Sequence, residues 1–338
     1  MNDGYPILVK LIKEREEVQA SADISVVVTT YNQAQQALTF TLNSILHQDC
    51  DNFEIVIADD CSATDPSEFV RKYLNDNGFT NYTIIRSQQN QGTVRNMLQA
   101  VTAASGRIIK PLSPGDGLYD STTLSDILSF CNKAHVRLGF GGIMSYQPDG
   151  SKVPYNAPRS IELYQPEEQD SSDILFNHIL KTDWIPGCCL FYERSLMIPY
   201  LDEIANGACV RYCEDLACPL CAADGIHIGS LGKNVIWYEM GTGISTSGSD
   251  ASVRRMYQDH RNFYNHLQER LPNKKLAKRA LQAFSIREFM ALRTPFYKMA
   301  QQLRVKQYSG GPSLKTPECD EALEFFSQCM ADKDSVTD

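Results

Sequence analysis

Acidic side chains recur at three places in this 338-residue chain where they could do chemistry together: Asp59 and Asp60 in FEIVIADDCS, Asp116 in RIIKPLSPGDGLY, and Glu214 with Asp215 in VRYCEDLACPLCAADG. A tight turn accounts for Pro114 and Gly115, but not for the acid that follows them or for Gly117 after it. Each acidic stretch closes an apolar run or opens a helical pattern. Carboxylates so placed hold a hard cation, accept hydrogen bonds from a polar ligand, or take a proton as general base. Polar residues keep them company: Thr29, Thr30, Tyr31 and Asn32 after the first apolar run, Asn90, Gly92 and Arg95 near the third, and Ser113 just ahead of Asp116.

The elements that must position these residues are written in the spacing. From Ile24 onward, short apolar runs alternate with helical patterns: ISVVVTTYN, ALTFTLNSILHQ, FEIVIADDCS, SEFVRKYLND, YTIIRSQQNQG, VRNMLQAVTAASG and RIIKPLS. Apolar runs that do not alternate imply strands covered on both faces, and helices between them imply crossovers in a mostly parallel, Rossmann-like sheet. The fold class is therefore α/β. Ligands of such sheets sit at the carboxyl ends of the strands, which is where the acids and their polar companions fall. No G-x-G-x-x-G follows the first strand and no G-x-x-x-x-G-K-[ST] occurs, which sets aside the usual dinucleotide and P-loop readings. An acidic rim admits phosphate only with a divalent cation or basic groups between them.

Past Gly150 the rhythm weakens. The spacing predicts a loop over VPYNAPRSIELYQPEEQD, helices near Ser172–Lys181 and from Ser195, two strands and a Gly-rich loop in IHIGSLGKNVIWYEMGTGIS, and helix from Ser252 to Lys306. A Gly-Pro break at Gly310–Pro312 and a last helix near Glu318–Ala331 complete the pattern.

Composition excludes several classes. The net charge of −9 argues against a nucleic-acid binder, and no apolar run is long enough to span a membrane. The first twenty residues lack the long apolar core of a signal peptide, so a cytoplasmic location is expected. Eleven scattered cysteines read as reduced thiols; the group Cys209, Cys213, Cys218 and Cys221 lacks paired knuckles and reads as buried apolar side chains rather than a zinc site. His227 and His260 read as structural. Charge is uneven: residues 254–306 hold thirteen Lys or Arg against three acids, about +10, which leaves about −19 for the rest. That segment is either a solvated helical cap or a surface for anionic membrane.

Taken together, SVVVTTYN, IVIADDCSATD, NQGTVRN, SGRIIKPLSPGDGL and a later Glu-Asp before a helix resemble the family 2 inverting glycosyltransferases over roughly Ile24 to Ser245. The resemblance implies the GT-A fold and a nucleotide-sugar donor, with Thr29, Tyr31, Asp59, Asp60, Arg95, Ser113 and Asp116 on the nucleotide side. It implies that Asp60 bonds the base, and that Asp116, in a motif where many members carry more acids, ligates Mn or Mg. It places the general base at Asp215, with Glu214 beside it. Trp184, Pro186 and Gly187 are either an acceptor wall or a structural loop.

The expected organisation is an N-terminal helical arm (1–22), a catalytic domain (23–250) with a nucleotide-sugar half (23–120) and an acceptor half (121–250), and a basic helical extension (251–338) with a helical C-terminus. The expected activity is a hexosyltransferase-type transfer of sugar from a nucleotide diphosphate, UDP in this family, to a glycan or lipid-linked saccharide in bacterial surface polysaccharide assembly. Two rival readings are a sugar nucleotidyltransferase, disfavoured because TTYNQAQQ offers neither Gly nor Lys for a triphosphate, and a scaffold that kept the fold without the catalysis.

Overall fold

The structure is a computed structural model that describes residues 22–147, 151–164, 169–241, 250–293 and 319–334. Strands β1 (Ile24–Thr30), β2 (Phe53–Asp59), β3 (Tyr82–Arg86) and β4 (Ile108–Leu112) are joined through helices α1 (Gln35–Leu46), α2 (Ser67–Asp76) and α3 (Thr93–Ala103), and they pair in parallel in the order 3-2-1-4. The apolar runs predict this because β1 and β2 are buried at every residue, with helices covering both faces. Trimming Ile55 or Ile57, both fully buried, to Ala would cost roughly 2–5 kcal/mol.

Beyond β4 the sheet becomes mixed. The two-residue β5 (Gly117–Leu118) leads to α4 (Thr123–Ala134), the long β6 (Leu138–Tyr146) and β7 (Lys152–Tyr155). Helix α5 (Ser171–Phe176) runs into a π-helical turn at Asn177–Lys181, then the short β8 (Leu190–Glu193) passes antiparallel between β4 and β6. After α6 (Arg194–Asp202) and α7 (Ala217–Ala223), β9 (Ile228–Glu239) runs parallel to β6 and antiparallel to β5. The stretch expected as two strands is thus one, with its register against β6 shifting around Phe140–Gly142 and Gly232 at a left-handed φ of 73°.

Helices α8 (Asp250–Arg270) and α9 (Lys274–Arg293) pack on each other and over the π-helical turn: Tyr264 Oη donates to Ile179 O at 2.9 Å and Arg287 Nη1 to Leu180 O at 2.9 Å. The last helix, α10 (Asp320–Asp334), lies against α1 and closes a second apolar cluster in which Phe326 meets Phe40, Tyr146 and Trp237 at 5.5, 5.1 and 4.6 Å between ring centroids. All but the last residue of the expected arm at 1–22, the Gly-Pro break at 310–312 and the Gly-rich loop from 242 lie outside the described residues. No described helix is long and apolar enough to cross a membrane.

Candidate active site

The carboxyl ends of β1, β2 and β4 form one rim. Thr29 is buried within β1, whereas Tyr31 stands 45% exposed beyond it. Asn32 and Cys61 hold left-handed φ values of 52° and 64°, which non-glycine residues keep only where their surroundings fix them. The fixing here is mutual: Asn32 N donates to Ser62 Oγ and Ala63 N donates to Asn32 Oδ1, each at 2.8 Å. Two loops distant in sequence are thereby tied into one surface.

Asp59 and Asp60 then divide the work. Asp59, fully buried, accepts from Ser62 N at 3.0 Å and from the Ser62 hydroxyl, with Arg86 Nη1 3.4 Å away. Asp60 turns both oxygens to the next loop, taking Gln91 N on Oδ1 and Gly92 N on Oδ2, each at 2.7 Å. Asp60 therefore shapes the Asn-Gln-Gly loop. Gly92 sits at a φ of 90°, and a Cβ there would collide with the Arg211 side chain and come 2.6 Å from Arg211 O. Arg211 Nη2 in turn donates to Asn90 O at 2.9 Å and Asn90 Oδ1 at 2.6 Å. Arg95 extends the other way, its Nη2 donating to Asn206 Oδ1 at 2.9 Å. Arg211, which sequence reading passed over, is the cation that touches this loop.

The Ser-Pro-Gly-Asp turn is held from behind by Thr41 of α1: Gly115 N donates to Thr41 Oγ1 at 3.0 Å, and that hydroxyl donates to Asp116 O at 2.7 Å. The Tyr146 hydroxyl also donates to Gly115 O. Gly115 has a φ of 96° and lies so close to the Glu239 carboxylate that a Cβ would strike it. Ser113 is exposed at the lip, while Asp116 is buried and accepts Glu239 N on Oδ1 at 3.1 Å. Burial pushes the Asp116 carboxyl up to about 8, a rise that the Glu239 N–H and Lys110 oppose and the Glu239 charge reinforces.

Lys110, in the middle of β4, is completely buried, and its Nζ donates to Pro111 O at 2.9 Å and Cys188 O at 2.6 Å. Desolvation brings its ammonium down to about 8. Cys188 belongs to the turn Gly187–Cys189, and the other side of that turn faces the second acidic pair: a Cβ on Gly187 would stand 2.5 Å from Glu214 Oε1. Burial pushes the Cys188 thiol well up, and Asp116 and Glu214 are both near enough to this turn for their charges to add to the rise.

Glu214 and Asp215 lie in a 3-10 turn, Glu214–Leu216, that feeds into α7. Both carboxyls are pushed up, Glu214 by burial and then by the Asp215 charge, Asp215 by burial with the Asp259 charge adding to it. The segment ahead of them is fixed by Asp259 of α8, which accepts Arg211 N at 3.1 Å, Tyr212 N at 2.6 Å and Cys213 N at 3.2 Å. Three successive N–H groups converge on one buried carboxylate from the basic helical extension. Sequence alone offered no signal for it.

The remaining candidates fall into place. Among the described residues no group of three or more His, Cys, Asp or Glu side chains is arranged to hold a metal. The cysteines are free; Cys218 and Cys221 are buried as expected, but Cys213 is only half-buried and Cys209 is exposed, so the group is not a buried cluster throughout. Trp184 packs edge-on against His178 and His260, and the His260 ring pairs with Met256 O. His227 is partly buried, which lowers its pKa.

Residues 25–191 match the model of Glycosyl transferase family 2. This chain belongs to that family. Over 113 residues it is 31% identical to the poly(ribitol-phosphate) beta-N-acetylglucosaminyltransferase TarS of Staphylococcus aureus (strain Mu50 / ATCC 700699), a match covering 33% of this chain and 19% of TarS. Over 173 residues it is 27% identical to WcaA of Escherichia coli (strain K12), a glycosyl transferase named for colanic acid biosynthesis, covering 50% of this chain and 60% of WcaA. The aligned parts are thus less than two thirds of either relative. The crystal structure of S. aureus TarS 1–349 in complex with UDP-GlcNAc superposes with a TM-score of 0.56 at 18% identity, over 93% of this chain and 83% of that one. The UDP complex gives 0.52 at 19%, over 91% and 80%. These likenesses establish the GT-A fold of the family 2 chain, a mixed sheet flanked by helices.

Proposed function

We propose that this family 2 glycosyltransferase moves a sugar from a nucleoside diphosphate donor, UDP in the first instance, to a glycan or lipid-linked saccharide of the bacterial cell surface, with inversion at the anomeric carbon. The observation that carries the reading is the convergence of Asp116 and Glu214, with Asp215, near the Gly187–Cys189 turn. In this reading Asp116 serves the departing diphosphate through a cation beside it, and the Glu214–Asp215 pair supplies the base for the acceptor hydroxyl. TarS and WcaA, named for transfer to poly(ribitol-phosphate) and for colanic acid biosynthesis, support the acceptor class.

In this reaction the acceptor oxygen attacks the anomeric carbon, the bond from that carbon to the phosphate oxygen breaks, and the leaving group keeps the electron pair. Asp215 takes the hydroxyl proton. Its pKa, raised by burial, brings it closer to the operating pH and makes it a stronger base than an exposed aspartate. Glu214 borders the same space and contacts the acceptor. Tyr31, exposed beside β1, offers a stacking face for the base, and Asp59 and Asp60 keep the surrounding loops in shape.

A hard divalent cation, Mn or Mg, fits Asp116: an oxygen ligand whose ionised form burial disfavours gains from a cation beside it, and Glu239 adds a second acid at the same turn. Asp116, with Glu239 beside it, would hold the cation, which when bound would neutralise charge on the leaving group. Neither the nucleotidyltransferase nor the scaffold reading gains support from the family match.

The test is thermal stabilisation by UDP, GDP and dTDP, each with and without Mn, on the parent protein and Asp116→Ala. The expected result is a shift with UDP that needs Mn and vanishes in Asp116→Ala. Stabilisation by none of the three would overturn the reading.

A further inference from the structure

We propose that the outer face of α9 is a docking surface for an anionic lipid bilayer. Four large hydrophobic side chains are markedly exposed among the described residues, and three belong to one turn of this helix: Ile286 at 67%, Phe289 at 54% and Met290 at 50%. The spacing i, i+3, i+4 puts them on one side of the helix. The same side, followed in both directions at 100° per residue, carries the exposed cations Lys275, Lys278, Arg279 and Arg293, with Gln282 between them. Arg293 lies over the Phe289 ring at 5.5 Å.

No opposing charge dilutes this face. The one acid in α9, Glu288, is turned inward, 7% exposed and paired with Arg261 at 2.5 Å. The opposite side of α9 is spent on the fold, through Ala277, Ala280 and Phe284, the last stacked on Tyr264 at 4.8 Å. What remains outward is a face about 27 Å long from Lys275 to Arg293, with three cations at one end, the apolar patch towards the other and Arg293 beyond it, on a chain whose total charge is −9. A protein that is acidic overall yet concentrates cations around exposed apolar side chains suits a surface that is anionic at the headgroups and apolar beneath them. Lysine and arginine stems reach the headgroup level while Ile286 and Phe289 enter below it. The sequence directly after α9, outside the described residues, carries Lys298, Arg304 and Lys306 with no acid before them.

Docking by this face is independent of the catalytic reading, since none of these residues touches the acidic turns. The experiment is co-sedimentation of the full chain with vesicles of phosphatidylcholine, alone and with phosphatidylglycerol added, for the parent protein, for Ile286→Ser/Phe289→Ser/Met290→Ser, and for Lys275→Gln/Lys278→Gln/Arg279→Gln. Every substituted side chain but Met290 is more than half exposed or on the exposed row, so both variants should keep the parent melting temperature, which is measured alongside. The expected result is binding only to the phosphatidylglycerol vesicles, weakened about tenfold or more in each variant and by added salt. No binding, equal binding to both vesicle types, or binding unchanged in the variants overturns the proposal. Self-association of the parent protein that the first variant abolishes, read by light scattering without vesicles, would overturn it in favour of a second copy of this chain.

Discussion

Asp259 accepts the backbone N–H of Tyr212 at 2.6 Å across 47 residues of sequence, so a helix of the basic extension fixes the segment that leads into the acidic pair at 214–215. Replacing Asp259 by Ala releases three N–H groups at once. The expected effect is a loss of about 2 kcal/mol in stability and about tenfold in kcat, with the KM for the nucleotide donor little changed. Urea unfolding and steady-state kinetics read the two separately; an unaltered kcat would mean that the turn holds its shape without this anchor.

Asp215→Asn keeps the size of the side chain and removes the carboxylate proposed as the base. Turnover should fall by roughly 10³-fold while nucleotide binding and melting temperature are kept. Burial raises the carboxyl at this position, and a base works only when deprotonated. The acid limb of kcat/KM should therefore lie clearly above the ordinary aspartate value of about 3.9 and be missing from the residual activity of Asp215→Asn. A limb at the ordinary value would remove Asp215 from the role.

Gly92→Ala tests the loop that Asp60 organises. The φ of 90° and the closeness of Arg211 leave no room for a methyl group, so the loop must shift and one or both N–H bonds to Asp60 lengthen. A stability loss of about 1–3 kcal/mol is expected, together with a weaker nucleotide-induced thermal shift. An unchanged shift would place the nucleotide away from this loop.

His178 is buried, its Nε2 paired with the Tyr164 hydroxyl at 3.0 Å, and desolvation lowers its pKa to about 4 from 6.5. Between these values the unfolded chain binds a proton that the native protein does not. Stability from this group is therefore full above pH 6.5 and is lost as pH falls towards 4, about 3 kcal/mol in all. His178→Gln should flatten the fall in melting temperature across that window; an unchanged slope would assign acid sensitivity to other groups.

How much of this was legible beforehand depends on the distance over which each feature is decided. The parallel half, β1 to β4, is built from neighbouring strand-helix units, so its apolar runs and the rim residues Asp59, Asp60 and Asp116 could be read from local pattern. Strand β8 could not: four residues long, it is defined by partners in β4 and β6 that lie far away in sequence. The strand IIKPL hides a buried ammonium whose acceptors include a carbonyl 78 residues on, a pairing no periodicity encodes. Arg95 and Arg211 show the same limit, since both are basic and near the Asn-Gln-Gly loop in some sense, but only the fold decides that Arg211 bonds Asn90 while Arg95 bonds Asn206. Asp259, on a helix that reads as a solvated cationic cap, is visible only once the three N–H groups it gathers are in place.

Helix α10 gives the protein a practical vulnerability. Phe326 presses on Tyr146, and Tyr146 holds the Gly115 carbonyl beside Asp116. A shortened version of the protein that stops before Asp320, as one might prepare to keep only the family-matching segment, would bare Phe40, Tyr119 and Trp237 and remove the packing behind Tyr146, one of the two side chains that hold the Ser113–Asp116 turn. Such a product should aggregate on expression and, where recovered, respond poorly to nucleotide. Proteolytic trimming during purification would act the same way, so preparations that lose activity on storage are best checked first for an intact C-terminal end.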